Sequence, residues 1–209
     1  YKRVTEEDIV KILRLVSTAN ISDALHRDPS LNGINPIYKG IKMVGRAVTV
    51  RTYAGDWAKP VEAIDIAKEG DVIVIDVGGV PPAVWGELTT TSCVRKKIAG
   101  VVIDGAIRDT KEIMDLKFSA FSKLITSNAG EPKGFGEINV PVTCGGVKVF
   151  PGDWVVGDDD GVVVIPADKS VEYTNRAMDV LEKENRIRKE IMDGSTLSSV
   201  MDLLKWEKR

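Results

Sequence analysis

Residues 72–109 read VIVIDVGGVPPAVWGELTTTSCVRKKIAGVVIDGAIRD, and this stretch constrains the fold more than any other. Two short apolar runs, Val72–Ile75 and Val101–Ile103, each end in an acidic residue, Asp76 and Asp104. Their length and lack of polar alternation predict buried strands. Between them lie a glycine-proline loop and a helix over Trp85–Ile98, which Gly100 stops. That order is a parallel βαβ unit. The second strand runs out through Gly105 into Arg108-Asp109. A fixed cation beside a carboxylate, just past the carboxyl end of a strand, is where open α/β folds place ligands. The rest of the chain is read around this candidate site.

The flanking sequence completes an α/β architecture. Thr5-Glu6-Glu7-Asp8 predicts a capped helix with Ile9, Ile12, Leu13 and Val16 on one face. Ser22-Asp23 would cap a second short helix. Residues 28–40 read as loop, and Lys42–Tyr53 as a strand. Pro60 leads a helix that Gly70 ends. Asp109–Leu116 is a short helix. From Phe118 to Pro166 strands such as Val147–Phe150, Trp154–Val156 and Val162–Ile165 are separated by PGDW- and GDDDG-type turns. A charged helix spans Lys169–Met192, with Val171, Met178, Leu181, Ile187 and Ile191 as its apolar positions, and Thr196–Leu204 forms a last small helix. The expected fold is a mixed α/β/α sandwich with a C-terminal helical extension, one domain over residues 1–209. An eightfold barrel is disfavoured, since it typically needs ~250 residues and a regular βα repeat.

Composition excludes several functions. With 29 basic and 31 acidic residues interspersed and a net charge of -2, no basic stripe exists to hold nucleic acid. No apolar run reaches the length of a membrane span and no signal peptide is present, so a cytoplasmic protein is expected. The chain starts at Tyr1, which leaves room for a longer polypeptide. Cys93 and Cys144 form no CxxC and are read as reduced, partly buried thiols. His26, the only histidine, rules out a multi-histidine zinc site, and no GxSxG elbow accompanies it. It is read as a structural helix-terminal residue.

Four motifs remain. Gly78-Gly79 lacks both the GxGxxG and the GxxxxGK[ST] patterns and reads as a tight turn. Amides of the helix turn opened by Gly86-Glu87-Leu88-Thr89-Thr90 are of the kind that holds a carboxylate. Glu87 by itself reads as a charge that complements the helix dipole. Asp109 is a hard ligand suited to Mg²⁺ or Mn²⁺, and Arg108 offers a planar fork for a carboxylate. Taken without context, Arg108-Asp109 is as readily a helix cap beside a solvated cation. Asp158-Asp159-Asp160-Gly161 lacks the spacing of a calcium loop and reads as a hairpin turn. The charged helix around Glu182–Glu190 is either a solvated face or a subunit contact.

Seven segments together resemble the RraA-like family, which includes the 4-hydroxy-4-methyl-2-oxoglutarate and 4-carboxy-4-hydroxy-2-oxoadipate aldolases. They are ISDAL at 21–25, GRAVTV at 45–50, GDVIVIDVGG at 70–79, WGELTTTS at 85–92, GVVIDGAIRDT at 100–110, PGDWVVGDDDGVVVIP at 151–166 and EKENRIRKEI at 182–191. The resemblance implies a swivelling-domain-like sandwich assembled as a homotrimer or dimer of trimers, with sites at subunit interfaces. It also implies a metal-dependent retro-aldol cleavage of a 2-oxo acid that releases pyruvate, and decarboxylation of oxaloacetate by the same chemistry. In that scheme Asp109 anchors Mg²⁺ or Mn²⁺, Arg108 binds the 2-oxo acid end and stabilises the enolate, and Gly86–Leu88 amides hold the carboxylate. Glu87 orients the water that shuttles the proton. The family's aldolases carry an acidic residue, twenty intervening positions and then Arg-Asp. Glu87 and Arg108-Asp109 keep that spacing, with Glu where the aldolases have Asp. A regulatory branch that binds ribonuclease E lacks the Asp after the Arg. Retention of Asp109 therefore favours the enzyme over a protein-binding regulator.

Overall fold

The two apolar runs lie side by side as parallel strands in the structure, a computed structural model that describes residues 4–201. In chain order the elements are α1 (Glu6–Leu15), α2 (Thr18–Ala24), β1 (Asn35–Pro36), β2 (Met43–Arg51), α3 (Ala58–Ile66), β3 (Val72–Asp76), α4 (Glu87–Lys96) and β4 (Gly100–Ile107). There follow α5 (Thr110–Asp115), β5 (Ser119–Ile125), β6 (Glu137–Ile138), β7 (Val142–Cys144), β8 (Val147–Val149), β9 (Trp154–Asp158) and β10 (Gly161–Ile165). The last helices are α6 (Ser170–Met192) and α7 (Leu197–Val200). This is a mixed α/β fold with a central mixed sheet and a long C-terminal helix. By its contacts the chain divides into two compact units, one of residues 29–168 and a helical one built from the segments before and after it.

In the first unit the sheet order is β1-β5-β4-β3-β2-β9-β10, with β6 added beside β2. Its centre, β5-β4-β3-β2, is parallel, and β1, β6, β9 and β10 pair antiparallel around it. Residues alternate between faces as the pleat dictates. Ile73, Ile75, Val101 and Ile103 pack toward Ala63, Ile64, Cys93 and Ile113, the inner residues of α3, α4 and α5. Val72, Val74 and Val102 pack on the other side with Leu31, Ile34, Cys144 and Val149, from the 29–34 loop and the β7–β8 hairpin. Every one of these side chains is buried, which explains the near-continuous apolar reading of β3 and β4.

Sequence patterning missed β5. Its reading SAFSKLI mixes serine and lysine with apolar residues, yet it pairs in parallel with β4 and buries Ala120 and Phe121. The short strands β1, β6 and β7 carry too little pattern to be seen. Helix α4 starts at Glu87 rather than Trp85, because 83–85 is extended: Val84 N–H donates to Ala106 O at 3.1 Å and Arg108 N–H to Trp85 O at 3.0 Å.

Helix α3 ends without a glycine cap. Instead the Lys96 ammonium, from α4, donates to the carbonyls of Ile64, Asp65 and Ala67. One cation thus satisfies the helix end and complements its dipole. Lys96→Met keeps the aliphatic stem and removes all three bonds. It should lower unfolding stability by about 2 kcal/mol, as measured by urea denaturation, and an unchanged midpoint would refute this capping role.

In the helical unit, Thr5 and Asp8 form the expected capping box on α1. The second helix begins earlier than the Ser22-Asp23 signal suggested. Ser17 and Asn20 form its capping box, while Ser22 Oγ donates to Asp28 O at 2.8 Å. Helix α6 buries Ala177, Val180 and Ile187, whereas Val171 and Ile191 are exposed, so its packed stripe lies differently from the one read in sequence. Asn20 Nδ2 donates to Glu184 Oε2 at 2.9 Å. His26 follows α2 in the left-handed region, its Nε2 3.2 Å from Arg176 Nη1. Of the predicted Thr196–Leu204 helix, α7 covers Leu197–Val200, and residues 202–204 lie outside the described residues. Among the described residues no helix is long and apolar enough to cross a membrane.

Candidate functional site

Strand β4 delivers Arg108 and Asp109 to the first turn of α4. Asp109 occupies the N-cap of α5 in the left-handed region, φ 58°, which Asp tolerates better than most residues. Its carboxylate does not cap α5. It turns to α4, where Oδ2 accepts the Glu87 N–H at 2.9 Å and lies 3.9 Å from Arg108 Nε. Gly86 makes this approach feasible: a Cβ there would stand 2.5 Å from Asp109 Oδ2 and 3.3 Å from Arg108 Cγ.

The chain therefore brings Gly86, Glu87, Leu88, Arg108 and Asp109 together at one cavity of about 270 Å³. Within that group the roles differ from the simple picture of three waiting amides. The Glu87 N–H is taken by Asp109, and the Gly86 N–H donates to Thr89 Oγ1 at 3.1 Å. The N–H groups of Leu88 and Thr89 have no acceptor among the described residues, and these are the first-turn donors left for an anion. The Glu87 carboxylate is half-buried and folds back along α4, where Oε1 accepts the Thr91 hydroxyl at 2.9 Å.

The donor set for a metal on this chain is small. Asp109 Oδ1 accepts no hydrogen bond among the described residues, and no group of three or more His, Cys, Asp or Glu side chains is arranged to hold an ion there. One free carboxylate oxygen does not make a zinc or calcium cage. It does fit Mg²⁺ or Mn²⁺, hard ions that keep several waters and take one or two carboxylates plus substrate oxygens.

The two acidic strand ends that flag the region in sequence sit elsewhere. Asp76 and Asp104 are neighbours across the β3–β4 ladder and point to the hairpin face. Thr143 N–H donates to Asp76 Oδ2 at 3.3 Å and Gly145 N–H to Asp104 Oδ2 at 3.0 Å. They anchor the hairpin to the sheet. Gly78 and Gly79 both adopt positive φ, in keeping with a tight turn, and the Gly79 N–H donates to Asp104 O at 2.9 Å. Both cysteines are fully rather than partly buried. Burial pushes the Cys93 thiol up to about 12, and burial, with Asp76 and Asp104 adding, raises that of Cys144, so neither offers a thiolate.

Sequence reading missed the far wall of the cavity. Trp57, just before α3, and Val61 and Ile64 on α3 line it, with Ala129 from the loop after β5. Trp57 Nε1 donates to Gly130 O at 2.9 Å, and the preceding residue, Asp56, is 3% exposed and accepts backbone N–H groups from Ala58, Lys133, Gly134 and Phe135. Burial works against the charge on Asp56, but these four donors outweigh it and hold the carboxyl below its ordinary value. An Asp-Trp pair ahead of a proline-containing helix was the available signal.

The chain has relatives among known proteins. An uncharacterized protein of Methanocaldococcus jannaschii is 42% identical, covering 93% of this chain and 94% of its own length. A protein of Halalkalibacterium halodurans named as a putative 4-hydroxy-4-methyl-2-oxoglutarate aldolase is 40% identical over 82% of this chain and 83% of its own. The crystal structure of Streptomyces coelicolor RraAS2, described as an unusual member of the RNase ES inhibitor RraA family, superposes with a TM-score of 0.79 at 30% identity, covering 90% of this chain and all of that one. The RraA-like profile (Aldolase/RraA) matches residues 18–164, a span that holds the whole cavity, and the chain belongs to the RraA-like family.

Proposed function

We propose that the chain is a divalent-metal-dependent lyase that cleaves a 4-hydroxy-2-oxo acid by a retro-aldol reaction, releasing pyruvate, and that decarboxylates oxaloacetate by related chemistry. The observation that carries this reading is the meeting of Arg108, Asp109 and the open first turn of α4 in one cavity. Relatives of 28% to 40% identity bear the name 4-hydroxy-4-methyl-2-oxoglutarate aldolase, most of them as putative. Assembly as a homotrimer or dimer of trimers, in the cytoplasm, belongs to the same proposal.

A pyruvate-forming cleavage must bind one carboxylate, take a proton from the C4 hydroxyl and stabilise an enolate. The Arg108 guanidinium binds the 2-oxo acid end and faces the negative charge as it develops. The free Leu88 and Thr89 N–H groups, at the positive end of α4, hold the carboxylate. Glu87 moves the hydroxyl proton, directly or through water. The C3–C4 bond then breaks, its electron pair passes into the 2-oxo group as an enolate, and reprotonation at C3 gives pyruvate. Mg²⁺ or Mn²⁺ held by Asp109 would supply further positive charge to that enolate.

The test is pyruvate release, coupled to lactate dehydrogenase, from a set of 4-hydroxy-2-oxo acids, 4-hydroxy-4-methyl-2-oxoglutarate among them, and from oxaloacetate. Release with Mg²⁺ or Mn²⁺ is expected to fall at least ~100-fold in EDTA, since the ion contributes several kcal/mol to such a transition state. Folded protein that releases no pyruvate from any of them would refute the lyase and turn the reading to a protein-binding regulator.

A further inference from the structure

Three donors in a row lead to Asp109 from behind the cavity. The Trp85 indole Nε1–H donates to the Thr90 hydroxyl at 2.9 Å, and that hydroxyl donates to Gly86 O at 2.8 Å. The Gly86 carbonyl and the Glu87 N–H belong to one peptide, and this N–H donates to Asp109 Oδ2 at 2.9 Å. The direction of the row is forced. An indole can only donate, so the Thr90 oxygen accepts from it, and its single hydrogen is left for Gly86 O. Thr90 is 0% and Trp85 3% exposed, so water does not compete for these bonds. Hydrogen bonds linked in this way polarise one another, and a peptide that accepts at its oxygen donates more strongly at its nitrogen.

A threonine that bonds the carbonyl four residues back is common in helices. Two observations set Thr90 apart. Its oxygen also takes the indole of Trp85, whose own carbonyl accepts the Arg108 N–H at 3.0 Å. Moreover, Thr89-Thr90-Thr91 puts three β-branched residues into one helical turn, a poor helix sequence, yet each hydroxyl bonds Gly86 or Glu87. We infer that Thr90 is a positioning residue for Asp109: through the Gly86–Glu87 peptide, its hydroxyl fixes Oδ2 and leaves Oδ1 to the ion. This rests on the metal-dependent reading above and deepens it. Thr90 itself lies off the cavity wall and touches no reactant.

Mn²⁺ titration calorimetry on the wild type, Thr90→Val, Thr90→Ser and Trp85→Phe tests this without turnover, with urea denaturation to show that each is folded. Thr90→Val keeps the shape and removes the hydroxyl. It should bind Mn²⁺ at least ~10-fold more weakly, the usual effect of losing a group that orients a metal ligand. Thr90→Ser keeps the hydroxyl and should restore wild-type affinity. Trp85→Phe removes the first donor, frees the hydroxyl to turn, and should weaken binding about threefold; it carries the test should Thr90→Val fail to fold. In metal-free protein the Glu87 amide proton should also move upfield in Thr90→Val, as its bond to Asp109 weakens. A merely structural threonine would cost unfolding stability and leave Mn²⁺ affinity alone. Wild-type affinity in folded Thr90→Val or Trp85→Phe, or a serine that binds no better than valine, overturns this inference and leaves the lyase standing. No Mn²⁺ or Mg²⁺ bound by the wild type overturns the metal site and both readings with it.

Discussion

Asp109→Asn should reduce metal-dependent kcat/KM for pyruvate release by about 1000-fold, equivalent to about 4 kcal/mol of transition-state stabilisation, while leaving the fold intact. The substitution is nearly isosteric. Asparagine keeps an oxygen for the Glu87 N–H and tolerates the left-handed backbone that position 109 adopts. What it removes is the charge, and with it the anionic oxygen that has no hydrogen-bond partner among the described residues. Asp109→Ala removes the acceptor as well and places alanine at φ 58°. It should lose activity to a similar degree and add about 1–2 kcal/mol of instability from the lost cap-type bond and the backbone. Mn²⁺ titration calorimetry and urea denaturation of both variants separate the two effects. Wild-type turnover in Asp109→Asn would refute the metal assignment. Parallel loss of folding in both variants would mean that Asp109 serves α4 rather than a ligand.

What the sequence could disclose follows from where each signal resides. The buried parallel pair β3 and β4 was legible because strands covered on both faces must be apolar throughout. The Glu87 and Arg108-Asp109 spacing was legible only through the family resemblance, because residue by residue Glu87 reads as a charge on the helix dipole and Arg108-Asp109 as readily as a helix cap. Which amide serves which acceptor was not legible. The Asp109 carboxylate turns away from its own helix, a choice made by local geometry at Gly86. Asp76 and Asp104 looked equivalent to site residues by position alone, but pleat parity sends them to the opposite face. The apolar wall was invisible because Trp57, Val61, Ile64 and Ala129 carry no motif of their own, and only the packing of α3 and the loop after β5 brings them to Arg108.

That loop is where the second large effect is expected. Asp56→Ala should lower stability by on the order of 3 kcal/mol, since four buried or half-buried N–H groups lose a charged acceptor at once. A melting temperature lower by roughly 6–12 °C corresponds to that loss in a chain of this size. The carboxylate holds Lys133, Gly134 and Phe135 against the 52–58 turn, and Gly55 and Gly130 meet there so closely that a Cβ on Gly130 would stand 2.4 Å from Gly55 O. The indole of Trp57 is fixed by the same seam, so loosening it should raise KM for substrate before it lowers kcat.

The pH dependence has a definite sign. The folded Asp56 carboxyl is held below its unfolded value, so its contribution is fully present above the unfolded pKa of ~3.9 and is lost as pH falls through the lower, folded value. Asp56→Asn removes the titration. The stability gap between wild type and Asp56→Asn should therefore be constant from neutrality to about pH 5 and close as the pH drops below ~4. Urea midpoints at a series of pH values would measure it. A gap that stayed open in acid would show that shape, not the charged acceptor, holds the loop, and the cavity wall would then owe its position to the Gly55–Gly130 contact and the Trp57 hydrogen bond alone.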